Sequence, residues 1–104
     1  MKRQQIIKLF TKYGKEGFEL WFSGVEGEGE FKAWYDNGQL DTHSFYKNNT
    51  LHGERKGWYP DGQINVHCFY KDGELHGEYK YWGDNGELFD HKLYKDGKTV
   101  EDYL

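Results

Sequence analysis

Residues Gly53–His76 read GERKGWYPDGQINVHCFYKDGELH, and the same text, altered but not interrupted, stands on either side of them. Gly29–His52 is GEFKAWYDNGQLDTHSFYKNNTLH and Gly77–Val100 is GEYKYWGDNGELFDHKLYKDGKTV. Aligned without gaps, the three copies share eight of 24 columns: Gly29/Gly53/Gly77, Glu30/Glu54/Glu78, Lys32/Lys56/Lys80, Trp34/Trp58/Trp82, Gly38/Gly62/Gly86, His43/His67/His91, Tyr46/Tyr70/Tyr94 and Lys47/Lys71/Lys95. A fixed period of this length marks a repeat architecture, in which each unit buries its surface against its neighbours. In the same register residues 5–28 form a decayed first copy, with Phe10 in the tryptophan column and Gly14 in the first turn-glycine column. An end unit has one neighbour and tolerates such drift. Residues 101–104 are a tail that finishes or caps the last strand, and the whole of 1–104 is expected to be one domain.

Each unit carries its own turns. Asp36-Asn37-Gly38, Pro60-Asp61-Gly62 and Asp84-Asn85-Gly86 each lie between aromatic or β-branched runs, a hairpin signal. A second turn follows at Asn48-Asn49, Asp72-Gly73 and Asp96-Gly97; asparagine is the non-glycine residue that best tolerates a left-handed backbone, so Asn49 preserves the turn. The expected fold is therefore all-β, a single-domain antiparallel β-meander of repeated hairpins with about eight strands. At the N-terminus Ile6, Ile7 and Phe10 would also suit one side of a short amphipathic helix, but the column match favours a first strand.

With Asn37-Gly38 as the central pair of a two-residue turn, Tyr35 faces Leu40, Trp34 faces Asp41, Ala33 faces Thr42 and Lys32 faces His43. Strand alternation then gathers Phe31, Ala33, Tyr35, Leu40, Thr42, Ser44 and Tyr46 on one face, continued by Tyr59, Ile64, Val66, Cys68 and Tyr70 and then by Tyr79, Tyr81, Leu88 and Tyr94, and this is the expected buried side. The other face repeats Glu, Lys, Trp, His and Phe or Leu. A one-residue bulge at the turn would exchange the two sides.

Aromatic residues make up 19% of the chain, so the fold must draw its burial energy mainly from rings, each removing about 150–250 Å² from water. Cys68 has no partner for an internal disulfide and no apolar leader follows Met1, which points to the cytoplasm. No stretch approaches the ~20 apolar residues of a membrane span. Five of the fourteen basic residues precede Glu16, leaving nine to face all eighteen acidic ones. A body so acidic repels a phosphate backbone, so direct nucleic-acid binding is not expected.

The histidine column invites a metal reading, but equivalent residues stand two strands apart, about 9.5 Å, while zinc ligands lie about 2 Å from the ion. No metal or cofactor is implied, and His43, His67 and His91 read as structural residues opposite Lys32, Lys56 and Lys80. His52 and His76 read as makers of turn hydrogen bonds. Cys68 falls on the apolar face, where an inert thiol is usual. Ser23 and Ser44 sit in no nucleophile motif. The aspartates at 36, 61, 72, 84 and 96 are explained by their turns, and Glu26–Glu30 by a solvated connection. No enzyme is expected. The tryptophans have two readings. In one, Trp34, Trp58 and Trp82 brace neighbouring hairpins. In the other they form a ridge that, with Phe45, Phe69, Glu54 and Glu78, binds a partner protein, since aromatic rings bury large area at low entropic cost.

The pattern Gly-x-(Tyr/Phe)-x-x-Trp-Tyr-x-(Asn/Asp)-Gly-x-Leu, followed by Phe-Tyr-Lys-Asp-Gly-x-Leu-His-Gly, resembles the MORN-repeat variant of bacterial antitoxin-component-like proteins over residues 29–100, about two-thirds of the chain. The resemblance implies a twisted antiparallel repeat sheet and a non-catalytic module that neutralises or scaffolds a partner, such as a toxin or a defence nuclease inhibited by a phage-encoded protein. Two alternatives stay open: an acidic nucleic-acid mimic that fills a nuclease groove, and a structural protein whose strand edges pair into a homodimer or longer assembly. Asn49, Gly83 in the column of Tyr35 and Tyr59, and Val100 in the column of His52 and His76 depart from the pattern.

Overall fold

The computed structural model describes residues 27–104 throughout and strands Gln4–Phe10 (β1) and Glu16–Phe22 (β2) by their backbone. Gly14, Ser23, Glu26 and the basic residues Lys2, Arg3, Lys12 and Lys15 lie outside the described residues. The remaining strands are β3 (Gly29–Tyr35), β4 (Leu40–Lys47), β5 (Thr50–Leu51), β6 (Gly53–Trp58), β7 (Ile64–Lys71), β8 (Glu74–Leu75), β9 (Gly77–Trp82), β10 (Leu88–Lys95) and β11 (Lys98–Asp102). They form one antiparallel sheet in the order β1-β2-β3-β4-β6-β7-β9-β10-β11, with β5 on β4 and β8 on β7. The all-β meander of hairpins holds. The expected eight long strands are joined by two short arms and a tail strand.

The hairpin turn differs from expectation by one residue. Gly38 N–H donates to the Tyr35 carbonyl at 3.0 Å and Tyr35 N–H to the Gln39 carbonyl at 2.8 Å, so Asp36-Asn37 is the central pair and Gly38 (φ 89) follows in the left-handed region. That is a three-residue loop with a left-handed exit, a conformation glycine adopts without strain. Asn37, Asp61 and Asn85 each accept the N–H two residues on, at 2.9 Å, which fixes the loop. The extra residue shifts the register so that Trp34 pairs with Leu40, not Asp41, and the expected Tyr35–Leu40 pair does not form. A bulge at Asp41 then returns the strands to Ala33↔Thr42 and Lys32↔His43, the expected pairs. The same correction recurs at Trp58↔Ile64 then Gly57↔Val66, and at Trp82↔Leu88 then Tyr81↔Asp90. Turn and bulge cancel from Thr42, Val66 and Asp90 onward, but at the tip the faces exchange: Leu40 and Ile64, expected on the apolar side, stand opposite Trp34 and Trp58 and share their face, as Leu88 does with Trp82. In the β1–β2 hairpin the bulge instead lies between Gln5 and Ile7, at the opposite end of the strands.

Among the described residues the buried apolar side chains are Ala33, Val66 and Cys68; Ser44 is buried with them on the expected face, and Glu30 on the other. Bonds between successive units add to this burial. Tyr35 hydroxyl donates to the Trp58 carbonyl and Tyr59 hydroxyl to the Trp82 carbonyl, each at 2.6 Å. Asn37 Nδ2 reaches the Pro60 carbonyl at 2.8 Å, and Gln63 Nε2 the Asp84 carbonyl at 3.2 Å. At the other ends of the strands, Nδ1 of His52 and of His76 accepts the N–H of Asp72 and of Asp96, both at 3.4 Å, one unit ahead. Asn48 (φ 52) and Asn49 (φ 64) occupy the left-handed region, so the asparagine turn survives as expected.

Candidate functional site

The charged face is ruled by lateral rows. Reading across β3, β4, β6, β7, β9 and β10, the strand register places Lys32, His43, Lys56, His67, Lys80 and His91 side by side. The backbone pairing of histidine with lysine is the expected one, but the imidazoles bond elsewhere. Each Nε2 donates diagonally to the glutamate of its own hairpin: His43 to Glu30, His67 to Glu54 at 2.7 Å and His91 to Glu78 at 2.8 Å. A carboxylate accepts the ring N–H and so orients the imidazole. The hydrogen bond from His91, with the positive charge of Lys80, holds the Glu78 carboxyl below its ordinary value. A constant spacing of thirteen residues between two invariant columns was the sequence signal for this pairing.

Phenylalanine backs the dyad in the inner units: the His43 and Phe45 ring centroids are 5.0 Å apart and those of His67 and Phe69 5.2 Å. In the last unit Leu93 stands in that column, and the Tyr103 ring of the tail lies tilted against His91, centroids 4.5 Å apart. The Tyr103 N–H donates to the His91 carbonyl at 2.8 Å, so the tail caps the sheet where Lys56 and Lys80 stand in earlier units.

Of the residues expected to bind a partner, Trp34, Trp58, Trp82, Phe45 and Phe69 are all half-buried. Strand alternation sets the tryptophans on the face of the Glu–His pairs, at the hairpin-tip ends of β3, β6 and β9. A brace between units does run through this column, but it is the neighbouring tyrosine that makes it, to the tryptophan's backbone carbonyl. The Glu30, Glu54 and Glu78 side chains are 9%, 41% and 52% exposed, so the face opens to water toward the C-terminal end.

A carboxylate-oriented imidazole is half of a nucleophilic triad. Ser44 and Cys68 adjoin His43 and His67 in sequence but alternate to the opposite face. Burial pushes the Cys68 thiol up, against the lowering influence of Arg55, which makes it a poor nucleophile. Among the described residues no three His, Cys, Asp or Glu side chains converge as metal ligands, and no helix is long and apolar enough to cross a membrane.

A family model described as MORN repeat variant matches residues 27–48, 51–72 and 75–96. The chain belongs to the MORN repeat variant family. The matched MORN segments keep the 24-residue period and begin two residues ahead of the Gly29, Gly53 and Gly77 columns; residues 5–28 lie almost entirely outside them. No curated protein and no solved structure matches this MORN chain. MORN repeats are generally protein- or membrane-binding modules and typically non-enzymatic.

Proposed function

We propose that this MORN protein is a non-catalytic module that binds another protein through the face bearing Trp34, Trp58, Trp82, Phe45, Phe69, Glu54 and Glu78, and so neutralises or scaffolds it in the cytoplasm. An antitoxin, or a phage-encoded inhibitor of a bacterial defence nuclease, is the specific role this form suits. The observation that carries the reading is that the described residues form a single sheet with three buried apolar side chains and no second layer on it, since an uncovered aromatic sheet face supplies a ready interface. The Glu–His pairs support it by fixing the polar groups between the rings, which lowers the entropy lost on docking.

The test is affinity capture from the native host, identification of the captured protein, and measurement of its affinity for wild type and for Trp34→Ala, Trp58→Ala and Trp82→Ala. At least one variant is expected to lose tenfold or more while keeping the wild-type circular dichroism. Folded variants that all bind as wild type does would refute this face as the site.

A further inference from the structure

The two ends of the strands carry different charge. The hairpin-tip segments 35–41, 59–65 and 83–89 hold Asp36, Asp41, Asp61, Asp84 and Glu87 and no lysine or arginine. The opposite turns, 47–52, 71–76 and 95–100, hold Lys47, Lys71, Lys95 and Lys98 against Asp72, Glu74 and Asp96. The Asn37–Pro60 and Gln63–Asp84 bonds tie the tips together, so the acids form one continuous edge and not three separate loops.

That edge ends on an aromatic pair. Phe89 is 58% exposed and Tyr81, expected on the buried side, is 37% exposed, because among the described residues no hairpin follows its own to cover it; the ring centroids are 6.3 Å apart. The Phe89 ring lies over Gly83, where a Cβ would come within 2.5 Å of it, and Asp84 follows directly. The Phe89 column holds Asp41 and Asn65 in the earlier units, and the Tyr81 column Ala33 and Gly57. The pair therefore belongs to the last unit and answers to no rule of the repeat.

We propose that this acidic hairpin edge, with Tyr81 and Phe89 as its apolar anchor, docks an extended arginine-bearing segment of a protein partner. Successive tips are two strands apart, about 9.6 Å at ordinary strand spacing. A polyproline II segment advances about 9.3 Å in three residues, so basic side chains at every third position meet successive tips in register. Guanidinium groups pair with the carboxylates and lie on the exposed ring faces, while intervening prolines pack on Tyr81 and Phe89. The same carboxylates repel a phosphate backbone, which leaves protein as the ligand class. The inference rests on the protein-binding reading but places a second contact away from the glutamate–histidine rows.

The test is fluorescence anisotropy with two labelled nine-residue peptides of equal composition. In the spaced peptide the unit Arg-Pro-Pro occurs three times in tandem; in the clustered peptide the three arginines come first and the six prolines follow. The spaced peptide is expected to bind the wild-type protein at least fivefold more tightly. Phe89→Ala and Asp84→Asn should each weaken it fivefold or more, while Asp72→Asn, on the opposite edge, leaves it within twofold. No saturable binding, equal affinity for the clustered peptide, or an unchanged affinity in Phe89→Ala overturns the proposal. Capture of a partner through the tryptophans is read independently and survives those outcomes.

Discussion

The inner units and the last unit share a period but not a set of contacts. Tyr35 and Tyr59 each bond a carbonyl one unit ahead; the same column in the last unit is Gly83. His52 and His76 each hold a turn one unit ahead; the same column there is Val100. Gly53 (φ 99) and Gly77 (φ 110) bend the chain between the short arm and the next long strand; the same column at the tail is Glu101, within an ordinary strand. The first two of these replacements fall in columns that, in the inner units, contact the unit ahead. The difference teaches which columns serve the unit itself and which serve its successor.

The largest effect expected from exchanging the two regions is at the bend. Gly77→Glu forces a side chain into the left-handed region and should cost about 1–3 kcal/mol in urea unfolding, whereas Glu101→Gly should cost under about 1 kcal/mol. Next come the hydroxyl bonds: Tyr35→Phe and Tyr59→Phe should each lose about 1 kcal/mol, while Gly83→Tyr gains nothing, because its Cβ would displace the Phe89 ring, 2.5 Å from that position. Tyr59 also sets a pH response. Hydrogen bonding with Tyr81, then desolvation, pushes its hydroxyl from 10.0 up to about 12. Its contribution is fully present below about pH 10 and is lost as pH rises toward about 12, because the folded state holds the proton longer. Tyr59→Phe should flatten that part of the stability–pH curve.

Smaller changes follow at the exposed contacts. His52→Val and His76→Val, which copy the last unit into the inner ones, should cost about 0.5 kcal/mol or less, since each bond is long and wet. Glu78→Gln should remove only a shallow slope at acid pH. Its carboxyl is depressed in the folded state, so its contribution holds above the ordinary carboxylate range and fades as pH falls below it.

The turn residues and the period made the meander legible in the sequence, and the face assignment held beyond the bulge but failed at the tip, where Leu40, Ile64 and Leu88 join the tryptophan face. A turn one residue longer than expected exchanged the sides at the tip, and the bulge at Asp41, Asn65 and Phe89 restored them for the rest of each strand. A bulge leaves no fixed residue type behind: aspartate, asparagine and phenylalanine all fill this one. The histidines stand opposite the expected lysines yet bond to the glutamates, because backbone register fixes which Cα atoms face each other, while charge decides where a polar side chain leans. The Tyr81–Phe89 pair was hidden by the repeat itself, since invariant columns draw the eye and this pair stands in variable ones.

Hydrogen exchange of the protein with and without its captured partner tests the central claim most directly. Slowed exchange is predicted at the hairpin-tip ends of β3, β6 and β9 and in segments 35–41, 59–65 and 83–89. Protection confined to the lysine-bearing turns 47–52, 71–76 and 95–100, or to the edge of β11, would contradict it.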